Sequence, residues 1–333
     1  MRFLKNNYLF LLPMALLISQ SAYSQTQDSL TTQPLPLQAM PDTTMKKPEP
    51  TQMYMDLLMS QAEPQKREFT TSTFKGTKIL NSQSVECIAK GVLQVVFQHR
   101  FGSLNNTFYD FFGLDQAGIR FGFDYGITNR LMIGIGRSGG GQEPQSQKAY
   151  DGYLKFKLVR QSSGAVNVPI SISLFSSLAI RSANNYDITD RFVYRLFYTS
   201  QVIIARKFSP AFSMQLMPTF IHRNLTANTT DKNDIFSIGI AARVKLTKRF
   251  GLIGEYYYTP SGQLASQFQQ SVAAFGLEIE TGGHVYHLLF TNANGMIEHQ
   301  FIGYNTSPLS AGANSIRFGF NLSRVFTIVK PKI

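Results

Sequence analysis

Phe236-Ser237-Ile238-Gly239-Ile240-Ala241-Ala242-Arg243-Val244-Lys245-Leu246-Thr247, followed at once by Lys248-Arg249, is the stretch whose reading decides the fold. Even positions are apolar, whereas odd positions are small, polar or charged. A period of two sends these sets to opposite faces of a strand. The run is about twice the usual globular strand length of 5–6 residues and suits a tilted membrane crossing. The same alternation recurs at Ile119, Phe121, Phe123 and Tyr125, at Leu154, Phe156 and Leu158, at Phe192, Tyr194, Leu196 and Tyr198, and at Ile316, Phe318, Phe320 and Leu322. A soluble sandwich would also alternate, so the connections decide. They are tight at 127–130, 207–210, 248–249 and 281–283, and long at 102–115, 139–148, 224–234, 259–270 and 292–314. Short turns at one end and long loops at the other predict an all-β chain: a closed antiparallel transmembrane β-barrel of about twelve strands.

Upstream the character changes. Residues 1–24 carry Arg2 and Lys5, a short apolar stretch interrupted by Pro13, and Ala22-Tyr23-Ser24, which reads as a secretory signal peptide. Residues 25–66 are rich in Pro, Thr and Gln without a sustained period, which predicts a periplasmic tether. Residues 67–333 are left for the barrel. Of the chain's 32 Lys+Arg and 20 Asp+Glu, the leading segment holds two basic residues and the tether three Lys against five acids, which leaves 27 basic and 15 acidic residues, a net +12, in the folded part. A composition 43% hydrophobic and 13% aromatic excludes a disordered chain. No run of about 18 apolar residues offers a helical span. The one cysteine, Cys87, can neither close a disulfide alone nor serve as a lipid-bearing N-terminal residue.

Several local motifs go further. They include His99-Arg100-Phe101-Gly102, Phe111-Phe112-Gly113-Leu114-Asp115-Gln116-Ala117, Asp124-Tyr125-Gly126-Ile127-Thr128, Asp151-Gly152-Tyr153-Leu154-Lys155, Thr281-Gly282-Gly283-His284 and Phe318-Gly319-Phe320-Asn321-Leu322-Ser323-Arg324-Val325-Phe326. Across residues 74–326 the chain resembles a family of uncharacterised outer-membrane β-barrel proteins of Gram-negative bacteria, a domain of unknown function. The resemblance implies a barrel in the cell outer membrane. It brings no catalytic residues.

Candidate chemistry is sparse. Gly134-Ile135-Gly136-Arg137-Ser138-Gly139 satisfies G-x-G-x-x-G, but Gly140, Gly141 and Pro144 follow where a dinucleotide site needs a helix. Glycines facing a crowded lumen explain it better. His284 and His287 fall on opposite strand faces, so with His299 they make no metal set. His99 shares the outward parity of Leu93, Val95 and Phe97, beside Phe101 at a membrane–water interface. No nucleophile, base and orienting group are spaced as a triad, so neither enzymatic activity, nor a metal, nor a cofactor is expected. Inward parity instead groups Lys155, Lys157, Arg195, Arg243 and Lys245 as a cationic lumen wall. Glu255, Glu278 and Glu280 form an anionic wall expected across the barrel. Such a lumen suits a small-solute channel or binding barrel, with a preference for small anions. The other reading is a non-conducting barrel whose long outer loops, 103–114 and 292–314, contact a partner. The partners implied are outer-membrane lipid, the secretion and outer-membrane insertion machinery, and a small anionic solute. With the basic residues expected inside, nucleic acid is not among them.

Overall fold

The structure is a computed structural model. It describes residues 54–55, 66–106, 109, 111, 113–140, 148–182, 191–226, 229, 231–265 and 267–330. The signal segment, and the tether except Tyr54, Met55 and Lys66, lie outside the described residues. Tyr54 and Met55 are helical and exposed. They belong to a unit spanning residues 1–61, and the barrel to a second unit spanning residues 62–333.

Twelve strands close into a barrel. They are β1 (Val92–Ser103), β2 (Gly118–Gly126), β3 (Leu131–Gly140), β4 (Ala149–Val159), β5 (Ser171–Arg181) and β6 (Leu196–Lys207). The second half comprises β7 (Phe212–Arg223), β8 (Asp234–Lys245), β9 (Phe250–Tyr258), β10 (Val272–Thr281), β11 (His284–Thr291) and β12 (Arg317–Thr327). Each pairs antiparallel with its neighbour in sequence, and β12 returns to β1, where Thr327 meets Val92. Closure removes every unpaired edge, the condition for a sheet to cross lipid.

The alternation of the sequence becomes inside and outside. Phe121, Ile135, Leu154, Leu178, Phe236 and Ile240 stand exposed on the outer face, while Gln98, Arg120, Asp124, Lys155, Gln201 and Glu255 are buried within. His99 faces outward in an aromatic cluster, its ring 4.4 Å from Phe101 and stacked on Phe320 at 5.2 Å. Three of the tight turns share one device: a hydroxyl caps the two backbone amides that follow. Thr128 Oγ1 accepts from Arg130 and Leu131, Ser209 Oγ from Ala211 and Phe212, and Thr247 Oγ1 from Arg249 and Phe250.

One predicted strand starts late. Phe192–Arg195 is a 3-10 turn, and the strand begins at Leu196. The Arg195 guanidinium lies 6.0 Å from the Phe192 ring three residues back, a spacing that one 3-10 turn brings together. Arg195 therefore has no lumen position on a strand; its Nη1 donates to the Arg181 carbonyl at the long-loop end.

The lumen is filled from both ends. Ahead of β1, residues 73–88 run into the barrel as an inset, folded back on itself where Lys78 bridges Gln83 and Ser84 N–H donates to Thr77 O. Phe74, Ile79, Leu80, Val85 and Ile88 are buried, and so are Asn81, Ser82, Gln83 and Ser84. From the other end, the connection after β11 turns inward. It forms a short buried helix α1 (Glu298–Gly303) with Ile297, Phe301 and Tyr304 packed in the barrel. The expectation that residues 292–314 form an outer contact loop is thus corrected: 292–305 are buried, and only residues around Leu309 are exposed at the mouth. The apolar residues Met296, Ile297, Phe301 and Ile302 of this connection have more to gain from burial than from water.

Candidate functional site

Inward-pointing side chains hold the inset by its main chain. Lys155 Nζ donates to the carbonyl oxygens of Thr77 (2.8 Å), Ser84 (3.2 Å) and Glu86 (3.2 Å). Glu255 accepts from Asn81 N–H at 2.8 Å and from the Ser82 hydroxyl at 2.8 Å. Arg100 donates to Leu80 O and Asn81 Oδ1, both at 3.1 Å, while Asn321 Nδ2 also reaches Leu80 O. Gln215 clamps both sides of the turn, accepting from Val85 N–H and donating to Gln83 O, each at 2.8 Å. Buried backbone polar groups must find partners, and here the barrel wall supplies them.

The wall keeps its own ion pairs. Arg120 binds Asp151 at 2.5 Å, and its guanidinium occupies the space where Gly122 and Gly136 lack side chains. Gly134 leaves room for the Tyr153 ring, whose hydroxyl donates to Asp124. The first two glycines of the G-x-G-x-x-G stretch, Gly134 and Gly136, thus make room for a crowded lumen, while Gly139 meets only Lys148. Arg243 binds Glu278 at 2.6 Å across β9, where Gly251 leaves the gap, and His287 Nε2 lies 3.5 Å from the same carboxylate. Closer to the short-turn end, Lys157 pairs with Glu86 and Lys75 with Glu280, both at 2.7 Å. Lys245 is half-buried there.

Most of the predicted lumen residues therefore meet an opposite charge or the inset's main chain in ways the alternation does not specify. Lys155 and Glu255 grip the inset; Arg243 and Glu278 pair with each other; Lys157 and Glu280 bind opposite charges of the inset. The two walls do not oppose one another across an open lumen. Arg243 on β8 and Glu278 on β10 are two strands apart, and their charges cancel locally. Among the described residues no group of His, Cys, Asp and Glu is arranged to hold a metal ion. His299 lies inside, stacked on Phe197 at 4.4 Å, and His284 lies beside Tyr286 near the short-turn end.

Periodicity does not reveal the inset. Its signal is a stretch before Gly91 with no period of two and with Thr77, Asn81, Ser82, Gln83 and Ser84, mostly short side chains that let a backbone approach a wall. Inset and inner loop meet at mid-lumen. Lys78 and Gln83 face Glu298 and His299 around an enclosed space bounded by Arg120, Asp151 and Ser177, too tight for a water-sized sphere. Lys78 Nζ, Gln83 Oε1, Glu298 Oε1 and His299 Nε2 have no hydrogen-bond partner there. Burial pushes the Lys78 ammonium down from its ordinary range, with Glu298 opposing, and pushes His299 down to about 3.

Three solved structures are similar to the chain at low sequence identity. The KdgM porin is 9% identical, with a TM-score of 0.45 over 70% of this chain and 99% of that one. The NanC porin is 9% identical, with a TM-score of 0.44 over 71% and 100%. LpxR from Salmonella typhimurium is 9% identical, with a TM-score of 0.33 over 71% and 99%. Among curated proteins no sequence matches. The family comparison is direct: residues 74–326, inset and barrel together, match the membrane bound beta barrel domain DUF5777, and this outer-membrane chain belongs to that family.

Proposed function

We propose that the protein is a barrel for small polar solutes, shut in this state by the inset and the inner loop, and that it has no enzymatic activity. The observation that carries this is the junction at mid-lumen. Four buried polar atoms from the two inserted segments converge there without partners, and each such group costs about 1–3 kcal/mol. A lumen filled only for rigidity would gain by apolar residues at those places. A segment that must come away is better held by hydrogen bonds that water can replace.

Displacing the inset frees three cations, Lys155 and Arg100 from its carbonyl and amide oxygens and Lys157 from Glu86, against two carboxylates, Glu255 and Glu280. Arg120 and Arg243 keep their acids. The opened lumen therefore carries a modest excess of positive charge, which favours small anions. The second reading, a non-conducting barrel, draws on the apolar cluster that Phe74, Leu80 and Phe301 form with the wall.

Planar-bilayer recording separates the two. With residues 73–88 replaced by a Gly/Ser linker, the folded barrel should conduct, with a reversal potential shifted toward anions; the intact protein should be mostly closed. Charge reversal at Lys155 in the opened barrel should reduce that shift. A folded but silent linker variant supports the non-conducting reading.

A further inference from the structure

The lumen does not account for a charge of +12. Among the described residues seven buried cations (Lys78, Arg100, Arg120, Lys155, Arg223, Arg243 and Arg317) stand against six buried acids (Asp124, Asp151, Asp231, Glu255, Glu278 and Glu298), and the expectation that the basic residues lie inside is corrected by the surface. At the short-turn end, Lys90, Arg130, Arg206, Lys248, Arg249 and Arg324 are all exposed. The described acids of that end are Glu68, Glu86 and Glu280, and the last two are already held by Lys157 and Lys75. The long-loop end is mixed, with Asp115 and Asp234 beside Lys148, Arg191 and Lys232.

Depth matters as much as sign. Arg206 and Arg324 stand on the outer face near the ends of β6 and β12, directly beyond the apolar belt. The Arg206 guanidinium lies 5.0 Å over the Phe208 ring, and Arg324 lies 4.9 Å over Phe326. Both strands run toward the short-turn end, so in each pair the exposed ring lies two residues beyond the cation and the guanidinium reaches outward over it, which holds ring and charge together at the edge of the hydrocarbon. That is the level of lipid headgroups. A partner standing off in the aqueous phase would need charge on the turns alone.

We infer that this rim is a binding surface for anionic phospholipid headgroups in the leaflet at the short-turn end. The inference rests on the barrel's crossing a membrane but not on the lumen's opening. Guanidinium and ammonium groups at the belt's edge gain from a phosphodiester charge, and a zwitterionic headgroup offers less.

The chain contains no tryptophan, so a single introduced one is an unambiguous reporter. Phe208→Trp places it beside Arg206, and Phe236→Trp places a control on the outer face near the long-loop end. The full chain is folded into vesicles containing brominated phosphatidylglycerol or brominated phosphatidylcholine, and quenching gives their relative binding at each reporter. At low salt, phosphatidylglycerol should be preferred about fivefold at Phe208→Trp. The preference should fall in high salt and vanish with Arg206→Gln and Lys248→Gln. Equal quenching by both lipids at Phe208→Trp, or the same preference at Phe236→Trp, overturns the inference. Quenching by neither lipid at either reporter overturns the membrane-spanning reading itself, and the inference with it.

Discussion

Lys155 binds three carbonyl oxygens of the inset and no carboxylate, so its hold on the segment is charge-assisted and broken in one event. Lys155→Met should weaken the inset's seating by about 1.5–3 kcal/mol. In the folded barrel, trypsin cleavage after Lys78, which is buried in the closed state, should then accelerate at least about tenfold, since proteolysis tracks the open population. Unchanged cleavage would mean that Lys155 is not a principal anchor. His299 gives the pH dependence. Burial lowers it to about 3, among Arg223, Asp151, Lys78, Glu298 and Arg120. It is therefore neutral when closed and, released to water, takes up a proton below its ordinary 6.5. The closed state thus holds its full contribution from His299 above about pH 6.5 and loses it as pH falls toward 3. Opening should rise by up to about tenfold per pH unit through that window, read as open probability between about pH 7 and 4. A flat profile contradicts the junction as the closing contact. The inward side of Lys155 and Glu255 is legible from parity alone. What they bind is not, because the inset lacks the period that makes a segment visible.

At the scale of the strand, two lipid-facing positions test the environment. Phe121 and Ile240 are 43% and 41% exposed on the outer face of β2 and β8. Phe121→Arg or Ile240→Arg should each cost about 2–4 kcal/mol in a bilayer, measured by denaturant unfolding from lipid vesicles; neutrality at both would contradict a hydrocarbon surround. Strands and tight turns are readable because alternation and turn chemistry are local. Phe192–Arg195 deceives because a 3-10 turn ahead of a strand can carry the same apolar spacing. Length marks the connection at 292–314 as an outer loop, and length is blind to direction. The buried faces of Ile297, Phe301 and Tyr304 carry that information only once a lumen exists to receive them.

For the whole molecule, a closed ladder of twelve strands and the removable interior that we propose would make two different stabilities. The barrel loses its ladder only by global unfolding, and unheated samples should migrate differently from heated ones on detergent gels. The inset is held by side chains, and four unpartnered junction atoms favour its release, so it should open on its own. Hydrogen exchange by mass spectrometry in a bilayer tests this most directly, with the amides of Asn81, Ser82 and Val85, all bonded to wall side chains, compared with those of β1 and β8. A separately opening gate predicts that residues 73–88 exchange at least about a hundredfold faster than the strands while the barrel stays folded. Exchange of the inset in step with the strands, only through global unfolding, would contradict the gate and leave a permanently filled barrel.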